Sequence, residues 1–251
     1  MIYDPREHGA ECDRCFLAEV RTAGPVAPEA NPGAWFALVG DFPGVIDVAE
    51  GRPFTGPDGD ELMVALRQGG ARRGEAHVTT AVLCVPPDND YAGMLRKLAK
   101  RNRARKAEGL DPMPNPIDAC RPRLMAEIEA MPNVIPVGGK GLQAVIGGNT
   151  SILAVRGGFI DGVRGDDGSF TTLPVDPAAL KLVLGSIVGR RQKVMPTIHP
   201  SFVLRARRWT RVLRVDVSRA LRWFRGMLAW SEPQIDYQPS PQALRAFLGP
   251  S

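Results

Sequence analysis

The stretch Ala34-Trp35-Phe36-Ala37-Leu38-Val39-Gly40-Asp41-Phe42-Pro43-Gly44 decides the fold. Residues 34–39 are an unbroken apolar run, and the run stops at a turn rich in Gly and Pro. A short apolar run without alternation reads as a strand buried on both faces, and the turn reads as the loop at its C-terminal end. Outward from it the same pattern recurs. Residues 60–68 (DELMVALRQ) read as a helix, and 77–83 (HVTTAVL), rich in β-branched side chains, as a second strand. A helix is predicted over 117–130. A third strand, Asn133–Val137, ends at Gly138-Gly139 and leads into a helix at 140–146. A last strand, 193–198 (KVMPTI), runs into His199-Pro200-Ser201. Leu213, Val217, Ala220, Phe224 and Met227 keep helical spacing, which predicts an amphipathic helix over 203–230, broken near its start.

Strands alternating with helices imply an α/β domain with a mostly parallel, four-stranded sheet covered on both faces. Loops after the strand C-termini build the site in such sheets. The segments Asp41–Gly44, Cys84–Asp90, Gly138–Gly141 and His199–Ser201 are therefore expected at one edge. One domain over residues 1–230 is predicted. A tail with four prolines, 231–251, reads as a linker.

At 251 residues, 44% of them hydrophobic, the chain can bury one sizeable core. No apolar run is long enough to span a bilayer. Met1 to Ala10 carries Asp4, Glu7 and His8 and has no apolar core, so a cytoplasmic monomer is expected. The net charge of +5 is concentrated in two places. Met94–Lys106 holds seven basic residues and no acid, Lys97, Lys100 and Arg101 among them. Val203–Arg225 holds eight arginines against one acid. Either segment alone reads equally well as a solvated helix face; two of them favour a polyanion, and the partner expected is DNA, single- or double-stranded.

The four cysteines are Cys12, Cys15, Cys84 and Cys120. A Cys-x-x-Cys pair with two distant cysteines supplies the four thiolates that a zinc ion or an iron–sulfur cluster needs. Spacing does not choose between them, and a redox pair with two buried thiols is the plainer alternative.

The order of these pieces resembles the family 4 uracil-DNA glycosylases, the iron–sulfur branch of the uracil-DNA glycosylase superfamily. The resemblance runs from Cys12 to about Phe224. It rests on Cys12-Asp13-Arg14-Cys15 and Gly40-Asp41-Phe42-Pro43-Gly44, then on Gly51-Arg52-Pro53-Phe54-Thr55-Gly56. It continues with the strand ending at Cys84-Val85-Pro86-Pro87, with Cys120 and Arg156-Gly157, and with Pro196-Thr197-Ile198-His199-Pro200-Ser201 ahead of Leu204-Arg205. It implies a three-layer α/β/α sandwich and a 4Fe-4S cluster on Cys12, Cys15, Cys84 and Cys120. It also implies excision of uracil, or another damaged base, from DNA in base-excision repair.

Such chemistry needs a flipped base held by stacking and edge hydrogen bonds, a donor to the departing base, and an acid beside the sugar. The resemblance assigns the stacking to Phe54, the donor to His199, and the acid to Asp41 or Asp47. Phe42 and Thr80 are placed against the base, and Ser201 and Arg205 on the DNA. The chain departs from the family pattern at three positions: Asp41 stands where Glu is usual, Phe42 where a small residue is usual, and Thr80 where Asn is usual. Asp41, Phe54 and His199 favour an enzyme, whereas Phe42 and Thr80 favour the alternative, a catalytically weak or inactive DNA-binding module of the same fold acting in replication or repair. The basic excursion within 91–113 exceeds the compact family pattern. The tail resembles the lead-in to another domain, as in phage-type relatives whose glycosylase-like domain precedes a DNA polymerase. By that analogy it implies a polymerase or another replication or repair protein as partner.

Overall fold

The computed structural model describes residues 3–174 and 189–228. In chain order the main elements are α1 (Phe16–Val20), β1 (Phe36–Gly40), α2 (Val45–Glu50), α3 (Pro57–Gln68), β2 (Ala76–Thr80), α4 (Tyr91–Ala107), α5 (Pro116–Ile128), β3 (Asn133–Pro136), α6 (Gly139–Ile146), α7 (Ile152–Val155), β4 (Ile160–Arg164), β5 (Phe170–Thr172), β6 (Arg190–Val194), α8 (Ser201–Arg205) and α9 (Thr210–Phe224). The sheet order is β2-β1-β3-β6-β4-β5. The first four strands are parallel, and they are the four read from the sequence. Two further strands extend the sheet: β4 runs antiparallel to β6, and β5 antiparallel to β4. The proline-rich segment 231–251 lies outside the described residues.

Residue alternation along β1 divides the core into two layers. Ala37 and Val39 face Leu17, Met94, Leu98, Leu124 and Val145, from α1, α4, α5 and α6. Phe36 and Leu38 face Leu62, Leu66, Leu213, Val217 and Leu221, from α3 and α9. The result is the expected three-layer α/β/α sandwich. The predicted long C-terminal helix is broken, with α8 and a 3-10 turn at Arg207–Trp209 preceding α9. Among the described residues no helix is long and apolar enough to cross a membrane.

Strand order reverses at β1, whose neighbours are β2 on one side and β3 on the other. The crevice outside this reversal is where parallel sheets bind ligands.

Candidate active site

The four loops that leave the parallel strands meet at that crevice. After β1, the Asp41 carboxylate accepts from the backbone N–H of Lys140 (2.7 Å) and Gly141 (2.9 Å), at the start of α6. After β2, Ala81 N–H donates to Gly40 O at 2.8 Å. After β3, Gly138 N–H donates to Thr197 O at 2.9 Å, two residues before His199. Gly138 has φ +103°, and a Cβ there would stand 2.5 Å from the Asp41 carboxylate, so the acid fits only beside glycine.

Phe54 is brought into this crevice by a strained loop. Its φ is +55°, left-handed for a bulky side chain, a conformation that costs about 1–2 kcal/mol. Arg73 holds it there: its guanidinium donates to Phe54 O at 3.0 Å and to Pro53 O, and pairs with Glu29 at 2.8 Å. Gly59 of α3 lies directly behind, where a Cβ would stand 2.1 Å from Phe54 O. The Phe54 ring rests over Gly40 and stacks beside His199, with centroids 6.1 Å apart and planes 30° apart.

Ser201 settles the state of His199. Ser201 N–H points at Nδ1 from 3.3 Å, and the Ser201 hydroxyl lies 2.9 Å from the same nitrogen. A nitrogen that accepts a backbone N–H carries no proton, which places the proton of the neutral tautomer on Nε2, the donor that the ring has left to offer.

The two acids named from sequence have separate fates. Asp47 is buried, and both its oxygens are taken. Oδ2 accepts from Gly44 N–H (2.9 Å), and Oδ1 from Thr55 N–H (2.7 Å) and the Thr55 hydroxyl (2.9 Å). It is a brace between the Gly44 turn and the Phe54 loop. Asp41 uses only Oδ1 in hydrogen bonds among the described residues. Burial raises its carboxyl above the usual range, against the pull of His199 and the α6 N–H groups.

Thr80 is buried at the end of β2, and its hydroxyl donates to Val82 O at 2.8 Å. Its one proton is thus spent inside the chain. The Phe42 ring lies flat against Tyr91, with centroids 5.7 Å apart and planes 9° apart, packed on the α4 side of the core.

Sequence reading missed the group that fixes the end of β2. Arg123 of α5 has no exposed surface and donates to Thr79 Oγ1 (2.9 Å), Thr80 O (2.8 Å) and Ala81 O (3.2 Å). Its charge is met by Glu127 at 2.9 Å, which also faces His77 at 3.3 Å. Periodicity gives no signal for it, because Arg123 occupies an interior position of a helix.

The four cysteines are free thiols, three of them buried and Cys12 half-buried. Cys12 and Cys15 flank a 3-10 turn, Cys84 follows β2, and Cys120 lies on α5. Burial pushes Cys15 and Cys84 up to about 11 and raises Cys12 and Cys120 as well, and charge on one thiol is felt by the others. Arg21 Nη1 donates to Cys84 Sγ at 3.7 Å. Among the described residues no three His, Cys, Asp or Glu side chains close on one point as the ligands of a lone ion do.

The family model of the uracil DNA glycosylase superfamily matches residues 27–222. The chain belongs to the uracil DNA glycosylase superfamily. The type-4 uracil-DNA glycosylase of Thermotoga maritima is 30% identical over 219 residues, covering 85% of this chain and 90% of that protein. The type-4 enzyme of Pyrobaculum aerophilum is 27% identical, over 77% of this chain and 80% of its own. That of Sulfurisphaera tokodaii is 31% identical, over 61% and 63%.

In this uracil DNA glycosylase superfamily member the residues expected to contact DNA lie on the His199 loop, on α8 and on α4. Ser201 opens α8 and contacts His199 Nδ1 through its hydroxyl. Arg205 ends α8 with its guanidinium 4.9 Å over the Phe202 ring. Lys97, Lys100 and Arg101 are exposed on α4, which leaves the β2 loop at Asp90.

Proposed function

We propose that this protein is a DNA glycosylase that hydrolyses the N-glycosidic bond of uracil, or of a related damaged base, flipped out of DNA. The observation that carries the reading is the meeting of Phe54, His199 and Asp41 at one crevice, with the His199 proton fixed on Nε2. Phe54 stacks on the extruded base. His199 Nε2–H donates to the base oxygen on which negative charge gathers as the bond breaks. Asp41, the acid with an oxygen to spare, positions water and balances the positive sugar. Asp47 holds the loop in place. Lys97, Lys100, Arg101, Arg205 and Ser201 engage the DNA backbone, and relatives named as uracil-DNA glycosylases support DNA as the partner.

Cys12, Cys15, Cys84 and Cys120 fit a 4Fe-4S cluster. The donor set is all sulfur and largely out of water, which suits either a zinc ion or an iron–sulfur cluster, and the likeness to the type-4 enzymes favours the cluster. Bound there, a cluster would be held by Cys12 and Cys15 of the N-terminal segment, Cys84 after β2 and Cys120 of α5, and would tie these segments together. Anaerobically purified protein is expected to be brown with about four irons per chain. A colourless protein carrying one zinc would overturn the assignment.

A second reading, a DNA-binding module with little excision, is favoured by one observation: the Thr80 hydroxyl is committed to Val82 O. An Asn amide would offer a donor and an acceptor to the base edge where Thr80 offers no free proton. Uracil release is therefore expected to be slow, and Thr80→Asn to quicken it about tenfold, the worth of one or two hydrogen bonds of about 0.5–1.5 kcal/mol. The assay is alkali cleavage of uracil-containing single- and double-stranded oligonucleotides. If wild type, Thr80→Asn and the Phe42→Ala/Thr80→Asn double variant all leave uracil in place, the excision reading for uracil fails.

A further inference from the structure

We infer that the outer face of α9 is a second DNA-binding surface, a track for the phosphate backbone outside the catalytic crevice. The inference rests on reading the chain as a DNA-acting protein.

A shallow groove of about 680 Å³ runs along α9, and its walls include Arg207, Arg208, Arg211, Arg214, Arg219 and Arg222. The inner face of α9 buries Leu213, Val217, Ala220 and Leu221, so these arginines fall on the solvent side. The helix has one acid, Asp216, and it cannot neutralise them. It is buried and paired with Arg156 (2.6 Å), and it accepts from the Thr197 hydroxyl (3.0 Å). Arg207 pairs with Glu61, and Arg219 lies 5.1 Å over the Phe159 ring. Arg208, Arg211, Arg214 and Arg222 have no acidic partner among the described residues. Arg214 Nε is buried without any hydrogen-bond partner. An orphaned donor of this kind is costly unless an acceptor arrives.

The chemistry of the lining selects phosphate. The groove's cations are all arginines, and the guanidinium fork matches phosphate oxygens where lysine offers only a point charge. Arg211 to Arg222 spans about 16 Å of helix, the rise of roughly five phosphates on one strand of B-form DNA. Among the described residues no aromatic ring lines the groove, so its contacts are to the backbone and sequence-neutral. It begins at Arg207 and Arg208, next to the His199 loop and α8. It ends toward the N-terminal ends of the strands, near Arg225, whose guanidinium lies 5.0 Å over the ring of Trp35 just before β1. DNA leaving the crevice on this side would meet the groove.

The test uses fluorescence anisotropy with uracil-containing duplexes of two lengths, one covering only the crevice and one long enough to reach past it, across a salt series. Wild type is expected to bind the long duplex more tightly, with a steeper dependence of log affinity on log salt. Changing Arg208, Arg211, Arg214 and Arg222 together to Gln should remove most of that length gain and flatten the long-duplex slope by about three to four. The matching four-lysine variant should keep most of the slope, which separates lost charge from lost fold. An unchanged length gain in the glutamine variant would overturn the inference. So would displacement of a polyglutamate peptide from this face with long-duplex binding untouched, which would assign the groove to an acidic protein. Uracil release by wild type is scored on the same duplexes. If release is absent while the groove effect persists, the catalytic reading fails and the groove stands.

Discussion

Replacing His199 with Ala is expected to slow uracil release by about two to three orders of magnitude, the usual cost of deleting one donor aimed at a developing anion. The geometry makes the loss specific. Nδ1 is bound to Ser201, so the ring's working end is Nε2, held beside Phe54. No second histidine lies in these loops: His8 stacks on Tyr3, and His77 faces Glu127. A residue acting at the chemical step lowers the single-turnover rate at saturating DNA and leaves affinity for the uracil duplex near wild type. The measurement is a single-turnover time course with a parallel binding curve. A rate within threefold of wild type would remove His199 from the mechanism. A loss confined to affinity would make it a binding residue.

Arg123→Met is expected to cost about 3–5 kcal/mol, because it strands a buried carboxylate. For a domain of this size that lowers the melting temperature by roughly 10 °C. The thermal melt should recover in part when Glu127→Gln is added. The pH dependence gives a second check. Glu127 is held below the ordinary carboxylate range: burial alone would raise it, but hydrogen bonds and charge from His77, Arg123 and Thr79 outweigh burial. Tyr3 also reaches this carboxyl, at 3.5 Å. A lowered carboxyl contributes stability that is complete above its unfolded value of about 4.3 and lost as pH falls through the folded one. The gap between wild type and Arg123→Met should therefore be widest near neutral pH and narrow in acid. A gap of equal size from neutral pH to below pH 4 would show that lost packing, not charge, accounts for the cost. Because Arg123 also holds Thr80 O and Ala81 O, the variant should slow excision at temperatures where it is still folded.

What was legible in the sequence follows from how each element is buried. The parallel strands sit between two helical layers, so β1 and β3 are nearly pure apolar runs and announce themselves. The β4–β5 hairpin does not. Its buried positions include Arg164, satisfied by Gln192 Oε1 (2.8 Å), Val145 O (2.8 Å) and Gly168 O (3.1 Å). A strand whose core contact is a hydrogen-bonded guanidinium carries no hydrophobic signal. Helix α2 is hidden because only one of its six residues, Asp47, is buried. At the site, the resemblance and the rule that loops at strand C-termini build the site were what grouped Asp41, Phe54, Thr80 and His199 in the sequence reading. Their division of labour was not readable: Asp41 is set apart from Asp47 by its bonds to the distant α6 start, while Asp47 and the Thr80 hydroxyl are turned to near neighbours in ways that residue type does not encode.

The Phe54 loop has a consequence for redesign. Its unusual backbone is secured from behind by the Arg73–Glu29 pair on two carbonyls and by the close fit of Gly59, and in front by a ring buried in the core over Gly40. Exchanging the ring for Leu, Tyr or Trp would reshape the face offered to a base while the rear mount stays in place, whereas a methyl group at Gly59 would dislodge that mount with the ring untouched. A change of ring thus alters both the face offered to a base and the packing over Gly40, with the Arg73–Glu29 pair left to hold the loop.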